Sequence, residues 1–564
     1  MTRRFILVLW VFVLAFSCTT KQEDESGKKV FRYNQADGLS SLDPAFARNQ
    51  ANIWATSQIY NGLFELSDDM YPVKCIADSW EIENEGKEYT FKIKQGIYFH
   101  DNPCFPEGKG REVKAQDFVY SFKRILDPAT ASTGVWIFND KVKKDENGKI
   151  AENWIEAIDD YTIKIKLDQP FGAFLEILTM PYTFVLPKEA IDKYGKEFRT
   201  NPVGSGPFMM KSWNEGNNLA LVKNENYWKK DLNGKKLPYL DAVMVSFISD
   251  KTQELLTFQQ KKLDLISFSG QANSIDMILN KDGSVKQDFS ANFTIEKIPY
   301  MNTEYIGFCM NPELYKDKNH PVLNKKFRQA MNYAIDRGEM ISYMLNNLGK
   351  PGVCGIIPPA ITGFNNDKIK GYEFNKAKAE QLLREIGYAE GKNVPVIELF
   401  TTIQSKPYVE YLQKQWEAIG LKVEIKINPV ATHQELIDNA RANFFRGSWL
   451  GDYPDAENYL AMFYSKNKTP NGPNKTHFSN EKFDKLYEDA KLEPDGFKRL
   501  DYYVEMDKII VEEAPVIVLF YDEALRLSQK NLTGLDEVNP MNIPKLEKVD
   551  FVIPESETPA QANL

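Results

Sequence analysis

Hydrophobic and polar residues alternate in two short runs near the start of the chain, residues 80–82 and 89–94, as they do in strands with one buried face. The polar segment between these runs contains Asn and Gly and predicts a hairpin turn. Apolar residues then recur at helical spacing in 113–124, which puts Phe118 and Phe122 on one inward face. Strand and helix patterns mixed in this way predict an α/β protein.

The second half of the chain continues the alternation. A strand pattern at 394–401 is followed by a helix at 407–419, a strand at 421–427 and a helix at 432–442. This series leads into residues 446–460, where a strand stops, turns and becomes a helix. Because ligand groups gather at the ends of strands in α/β sheets, this turn is the first candidate for a binding site.

Two carboxylates lie in that turn. Asp455 precedes an apolar helical run, so the pattern predicts that it caps the helix N-terminus. Asp452 has no such local role and is the candidate for holding a cationic ligand group. Arg446, six residues earlier and on the same face of a regular strand, is the candidate for an anionic group. Trp449 and Tyr453 are interpreted as walls of a cleft or, equally, as core. The alternative is that Asp452 caps a turn and Arg446 is solvated.

The N-terminus has the pattern of an export signal. Residues 1–17 combine Arg3 and Arg4 with an apolar run of about a dozen residues, too short to span a bilayer core of about 30 Å. Cys18 is interpreted as the lipidated first residue of the mature protein, and residues 18–29 as a polar tether. The alternative is a plain secretory peptide that removes Cys18. We therefore expect an exported protein, anchored by lipid to the cell envelope membrane and facing the periplasm or the exterior.

Composition narrows the function classes. A chain of 564 residues is long enough for two or more lobes, and its 13% aromatic content suggests a cavity lined by rings. The net charge of −9, without a basic cluster, argues against nucleic-acid binding, and four scattered histidines give no metal-ligand pattern. We expect no metal and no cofactor. Four cysteines besides Cys18 permit two disulfides in three pairings, which the sequence does not decide. These are Cys75, Cys104, Cys309 and Cys354.

Several short motifs occur together in a fixed order. They are Trp80, Tyr89-Thr90-Phe91, Gly96-Ile97, Phe99-His100-Asp101, Ala115-Gln116-Asp117, Tyr120-Ser121-Phe122, Val203-Gly204-Ser205-Gly206-Pro207-Phe208, Asn224-Glu225-Asn226-Tyr227-Trp228, Phe327-Arg328-Gln329-Ala330, Tyr333-Ala334-Ile335-Asp336-Arg337 and the turn at 446–460. The combination resembles the family 5 extracellular solute-binding proteins, the peptide and nickel receptors of ABC transporters. It covers nearly all of the chain from residue 30 to about 550. An insertion at 103–110 departs from the family pattern and could carry a Cys75–Cys104 bridge.

The resemblance implies a class II periplasmic-binding-protein fold, with two α/β lobes that close around a ligand by a hinge. Lobe I would comprise residues 30–66, 195–302 and 514–564 including the C-terminal tail, with a subdomain inserted at 67–194, and lobe II would comprise residues 303–513. The two crossovers near Tyr300 and Pro515 would form the hinge.

The resemblance also implies a function and site residues. In peptide-binding relatives an aspartate at the position of Asp452 takes the peptide α-amine, and an arginine at the position of Arg446 can meet a short peptide's carboxylate. The protein would then be a monomeric lipoprotein that delivers short peptides to ABC permease and ATPase subunits, with Trp449 and Tyr453 as further site candidates.

Two alternatives remain at this point. The same fold could bind a nickel chelate, haem, an oligosaccharide or a signalling peptide. A secreted hydrolase is the alternative from another class, since glycosidases use two carboxylates across a sugar. Asp455 is already explained as a helix cap and is therefore not free to act as a second catalytic carboxylate. The sequence has neither a nucleophile-elbow motif nor a zinc motif, so we do not expect the protein to be an enzyme.

Overall fold

A computed structural model describes residues 27–269, 272–315, 317–493, 495–535 and 540–552. The signal peptide at 1–17 and the lipidation site at Cys18 lie outside the described residues, so both stay predictions. Within the described ranges no helix is both long and apolar enough to cross a membrane.

Nineteen strands occur in the described ranges. They are β1 (Val30–Asn34), β2 (Phe64–Leu66), β3 (Pro72–Lys74), β4 (Ala77–Glu83), β5 (Glu88–Ile93), β6 (Ile155–Asp159), β7 (Thr162–Lys166), β8 (Phe208–Asn214), β9 (Asn218–Lys223), β10 (Ala242–Ser246), β11 (Leu265–Phe268), β12 (Phe293–Phe308), β13 (Lys350–Pro351), β14 (Ile397–Thr402), β15 (Val423–Asn428), β16 (Phe444–Leu450), β17 (Val516–Gln529), β18 (Leu532–Thr533) and β19 (Asp550–Phe551).

Fifteen α-helices occur in the same ranges. They are α1 (Gln50–Ile59), α2 (Ala115–Leu126), α3 (Phe174–Ile177), α4 (Lys188–Tyr194), α5 (Lys251–Gln259), α6 (Ala272–Ile278), α7 (Gln287–Asn292), α8 (Lys325–Tyr333), α9 (Arg337–Leu345), α10 (Lys376–Glu385), α11 (Lys406–Glu417), α12 (Val430–Asp438), α13 (Glu457–Leu460), α14 (Glu481–Leu492) and α15 (Gly496–Glu513).

An 11-stranded sheet runs through both lobes in the order β15-β14-β16-β12-β17-β11-β1-β10-β9-β8, with β13 beside β17. The long antiparallel strands β12 and β17 carry it from one lobe into the other. Their pairing shifts register between Pro299 and Thr303, where the proline has no N–H to donate to the ladder. This irregularity lies beside Tyr300, and β17 begins directly after Pro515. The lobe boundaries and the hinge stay predictions.

Strand alternation gives the sheet of lobe II a hydrophobic core on each face. On β16, Phe444 packs into the core that contains the fully buried Trp416, whereas Phe445 packs into the opposite core with Tyr305 and Tyr459. Successive side chains of a strand point to opposite faces, so one apolar strand can serve both cores. Truncating a core tryptophan such as Trp416 to alanine typically costs about 3–5 kcal/mol of stability.

The inserted segment forms a smaller sheet in the order β4-β5-β7-β6. The antiparallel pairing of β4 with β5 confirms the predicted two-strand meander. Helix α2 lies where the sequence predicts it and buries Phe118, Phe122 and Ile125 completely or nearly so. The observed helices α2 and α11 are displaced by one or two residues from the predicted ranges. Helix α12 differs more: the pattern predicts 432–442, but the helix ends at Asp438, and Ala440 adopts a positive φ of 50° that a helix does not tolerate.

The cysteines differ from the disulfide expectation. Cys75, Cys104, Cys309 and Cys354 all carry free thiols. Cys75 is buried beside Glu65. Cys104 belongs to the insertion at 103–110 and lies near Glu189 and Tyr194 of α4. A Cys75–Cys104 bridge is therefore not formed, because the fold places each thiol in a different environment.

Candidate functional site

The candidate turn at 446–460 begins at the end of strand β16, where the two predicted lobes meet. It pairs with β12 from Phe444 to Leu450 and then ends, and the N–H of Gly451 donates a 2.8 Å hydrogen bond to the Met301 carbonyl. A Cβ at position 451 would lie 2.7 Å from Met301 Cε and 2.8 Å from Tyr459 Oη. A side chain at this position would force the ends of the Met301 and Tyr459 side chains to shift, which favours glycine. The next residue, Asp452, leaves the strand.

Asp455 has the structural role that its position predicts. Its Oδ1 accepts the Glu457 N–H at 2.8 Å at the start of α13. Its Oδ2 lies 3.5 Å from a guanidinium nitrogen of Arg499, and the side chain is buried. Asp455 accepts a backbone N–H as predicted, but the residue directly before α13 is Ala456, so Asp455 lies one position ahead of the helix cap. Its carboxylate is used within the protein.

Asp452 is supported by a short hydrogen-bond chain. The Asn458 Oδ1 accepts from the Asp452 N–H at 3.2 Å and from the Trp449 indole N–H at 2.9 Å. The Asn458 amide also approaches Asp452 Oδ2 at 3.5 Å. Trp449 thereby orients Asn458, and Asn458 holds the backbone and one carboxylate oxygen of Asp452.

The carboxylate of Asp452 keeps capacity for a ligand. Its side chain is open to a cavity, and no described residue forms an ion pair with it. Crowding by surrounding protein raises the pKa of Asp452 to about 6, while the Asn458 hydrogen bond and the positive charge of Arg48 oppose the rise. An ammonium group at this carboxylate would restore the lost solvation and favour the ionised form.

The cavity itself has a volume of about 650 Å³ and lies mainly against the segments predicted to form lobe I and the inserted subdomain. Leu450, Gly451 and Asp452 contribute the wall from lobe II. Its volume falls in the range of small-molecule sites, about 300–1,000 Å³. Six of its aromatic residues are Tyr60, Phe64, Trp136, Tyr182, Phe184 and Tyr300. The cavity lined by rings that the composition suggests is confirmed.

Arg446 lies elsewhere. Its side chain is 17% exposed and forms an ion pair with Glu304 on β12. Burial lowers the pKa of Arg446 to about 10, and the nearby Asp522 acts in the opposite direction, so the guanidinium remains charged at neutral pH. Arg446 is not part of the cavity wall among the described residues. The structure therefore does not bring it together with Asp452, and its contact with a ligand carboxylate stays a prediction.

Tyr453 and Trp449 lie behind the cavity wall. The Tyr453 hydroxyl donates to the buried carboxylate of Glu457, and its ring is 4% exposed. Trp136 of the inserted subdomain stacks on that ring with centroids 6.3 Å apart and itself lines the cavity. Trp449 is half-buried and bonded to Asn458. Both residues support the site in this arrangement, and their direct contact with a ligand stays a prediction.

The lobes touch around the cavity. Besides the stacking of Trp136 on Tyr453, the guanidinium of Arg499 lies 4.0 Å from Glu176 of the inserted subdomain. Burial raises the pKa of Glu176 to about 7, and the charge of Asp455 adds to the rise. Trp136 with Tyr453 and Arg499 with Glu176 therefore connect the inserted segment to the segments that carry the candidate turn and α15.

Sequence reasoning missed two residues at this site. Asn458 follows Asp452 by six positions, but its bonds to Trp449 and Asp452 require the helical turn to fold back on the strand end. Arg48 enters the same cavity from lobe I, just before α1. The Asn49 side chain caps α1 and was the only local signal near Arg48. A cap does not show which cavity the preceding residue faces.

The comparisons with known proteins agree with this architecture. The family described as bacterial extracellular solute-binding proteins, family 5 Middle, matches residues 72–471. The oligopeptide-binding protein OppA of Bacillus subtilis is 28% identical over 532 residues, covering 91% of each chain. The heme-binding protein A of Haemophilus influenzae is 29% identical over 523 residues, covering 89% of this chain and 88% of that protein.

The likeness extends to a solved structure. The periplasmic binding protein DppA from Helicobacter pylori, in complex with the peptide STSA, superposes with a TM-score of 0.74 at 25% identity, covering 93% of this chain and 99% of that chain. This confirms the predicted periplasmic-binding-protein fold. The family match spans more than half of the sequence. The chain therefore belongs to the family 5 bacterial extracellular solute-binding proteins, whose members bind solutes and are not enzymes.

Proposed function

We propose that the protein is the substrate-binding component of an ABC importer and captures short peptides in the cavity between its lobes. The observation that carries the proposal is the Asp452 carboxylate, which is open to the cavity and has no cationic partner among the described residues. It takes the peptide α-amine through charge-assisted hydrogen bonds. The peptide is then passed to the permease and ATPase subunits of the transporter.

The surroundings of Asp452 suit an amine. Asn458 and Trp449 hold the carboxylate in place before a ligand arrives, which reduces the cost of ordering the site on binding. An anchored amine with the remaining side chains against an aromatic cavity gives broad specificity, because only the charged end is strongly discriminated. Relatives that bind oligopeptides and the peptide STSA support this choice of ligand class.

Other assignments from the sequence belong to the same proposal. Arg446 remains a candidate for the peptide carboxylate, although such a ligand would compete with Glu304. Trp449 and Tyr453 act on the site from behind its wall. The protein is a monomer, held to the envelope membrane by a lipid at Cys18, on the side that faces the periplasm or the exterior.

A second ligand class is supported by one observation, the 29% identity to a heme-binding protein. Within the described residues, no group of three or more His, Cys, Asp or Glu side chains could hold a metal ion, and no histidine lines the cavity. Haem would therefore bind through its ring and its propionates. An absorbance titration with haem tests this alternative.

Thermal unfolding with and without ligand tests the peptide proposal. The probes are alanine peptides of two to five residues, each with a free and an N-acetylated amine, added to protein that has been refolded free of ligand. A peptide at about 100 times its dissociation constant adds about 2.7 kcal/mol to the free energy of unfolding. We expect free peptides to stabilise the protein and the acetylated forms to do so much less.

Two variants sharpen the test. Asp452→Asn keeps the size of the side chain and removes its charge, so stabilisation by free peptides falls to the level of the acetylated ones. Asp501→Asn is the matched control, because Asp501 lies on the exposed surface of α15 and its ion-pair partner among the described residues is Lys368, at 3.3 Å. If no peptide in the series stabilises the protein, or if haem stabilises it and the peptides do not, the peptide proposal is rejected.

A further inference from the structure

The charged residues that line the cavity are mostly neutralised by one another. Lys229 lies 2.6 Å from Glu65 and 3.3 Å from Glu547. Lys545 lies 3.1 Å from Asp68. A charged ligand group could bind one of these side chains only by breaking its ion pair. The former partner would then be left without a counter-charge, which is energetically unfavourable.

Two lining charges are outside this network, one from each lobe. Asp452 enters from lobe II and Arg48 from lobe I. Among the described residues, no hydrogen-bond acceptor or ion-pair partner contacts the Arg48 guanidinium, and no cation pairs with Asp452. The two side chains influence one another electrostatically without forming a direct ion pair. They present opposite charges to the same cavity.

The backbone around Arg48 is firmly held, although its side chain is exposed to the cavity. The N–H of Arg48 donates to the Phe46 carbonyl at 2.8 Å. Asp43 caps the preceding turn and pairs with Arg124 at 2.6 Å, in a largely buried ion pair. The Asn49 side chain accepts the Asn52 N–H at 2.9 Å and caps α1. A guanidinium on such a fixed base is well placed to meet a carboxylate with two parallel hydrogen bonds.

We propose that Arg48 binds the carboxylate of a ligand whose amine is held by Asp452, so that the cavity selects short zwitterionic ligands. This inference rests on the proposed function and identifies the second charged anchor of the same site. The carboxylate is the C-terminus of a short peptide or an acidic side chain. Because the two anchors belong to different predicted lobes, the ligand bridges them and stabilises the arrangement in which both face the cavity.

Arg446 is less suited to this task. Its guanidinium is already paired with Glu304, and a ligand carboxylate at that place would leave the Glu304 carboxylate, which is 9% exposed, without its cation. Separating a buried charge from its partner is strongly unfavourable. Arg48 binds a carboxylate without breaking any protein ion pair.

Calorimetric titration with one peptide and its C-terminal amide tests the proposal. The probe is the member of the free alanine series that binds most tightly, and amidation removes the carboxylate charge while the amine remains free. Amidation removes a charge-assisted hydrogen bond to the peptide carboxylate, so the wild-type protein should bind the amide about 10- to 150-fold more weakly than the free peptide. In Arg48→Gln, we expect the free peptide to bind as weakly as the amide, with no further loss on amidation.

Two controls separate local from general charge effects. Arg441→Gln makes the same change at an exposed position, where Arg441 only approaches Glu435 at 3.9 Å, so the loss on amidation is retained. Lys545→Gln removes a cavity cation that already has a partner, and the amidation loss is retained there too. A melting temperature for Arg48→Gln equal to that of the wild type shows that the variant folds.

The outcomes are distinct. If the amidation loss persists in Arg48→Gln, or if the wild type binds peptide and amide equally well, the role of Arg48 is refuted while peptide binding stands. If the amidation loss disappears in Lys545→Gln instead, the carboxylate binds at Lys545. If the wild type binds no alanine peptide, the proposed function itself fails.

Discussion

Peptide affinity should depend on pH through Asp452. Crowding raises the pKa of this carboxyl to about 6 in the free protein. A bound α-amine favours the ionised carboxylate and lowers its pKa in the complex. Affinity for a peptide with a free amine is therefore highest above pH 6 and falls as the pH drops through 6, because Asp452 must lose a proton before it can bind the amine.

The magnitude follows from the fraction of free protein that carries a protonated Asp452. With a pKa of about 6, this fraction is about one tenth at pH 7 and about nine tenths at pH 5. Affinity therefore falls about tenfold between pH 7 and pH 5, which is about 1.4 kcal/mol. At pH 6 about half of the molecules are protonated, so binding releases about half a proton.

Calorimetric titration in two buffers of different ionisation enthalpy measures that proton release directly. Asp452→Asn is expected to bind weakly and to release no proton at pH 6. Burial also raises the pKa of Glu176 to about 7 and of Asp522 to about 6, so both titrate in the same range. Glu176→Gln and Asp522→Asn should retain the half-proton release. Absence of proton release in the wild type, or its persistence in Asp452→Asn, would refute the reasoning.

Three further predictions concern the support of the site and the core. Gly451→Ala places a methyl group against Met301 and should lower the free energy of unfolding by about 1–3 kcal/mol in urea titrations, and an unchanged midpoint would contradict the close packing. Trp449→Phe removes the hydrogen bond to Asn458 and should weaken peptide binding about fivefold, and an unchanged affinity would contradict the role of Trp449 in holding Asn458. Burial raises the pKa of Asp507 to about 7, so the contribution of its protonated form to stability is fully present below pH 4 and is lost as the pH rises through 7. Asp507→Asn should remove this pH dependence of the free energy of unfolding. A variant with the same pH profile of unfolding as the wild type would contradict this assignment.

Local sequence patterns were sufficient for the elements around the site. The strand end, the turn and the helix that follows lie at β16 and α13, as the pattern at 446–460 predicts, and Asp455 accepts a backbone N–H at the start of that helix. The meander of β4 and β5 and the buried face of α2 follow in the same way. These features depend on side-chain period and on hydrogen bonds between residues two to four positions apart, so they can be read locally. The ordered motifs then identified the family, which the comparisons confirm.

The partners of the charged side chains could not be read in this way. Arg446 is paired with Glu304, which lies 142 residues earlier on a neighbouring strand. The strand pattern placed Arg446 and Asp452 on one face, but β16 ends at Leu450 and its alternation does not extend to Asp452. The free thiols of Cys75 and Cys104 likewise reflect where the loops pack.

The sequence by itself determined the fold class, the family and the residue types at the strand-to-helix turn. Only the tertiary structure decided which charges remain available to a ligand, because it pairs Lys229 and Lys545 within the cavity and leaves Asp452 and Arg48 facing the same space from opposite lobes. Local periodicity depends on neighbours along the chain, whereas charge pairing depends on which distant segments the sheet brings together.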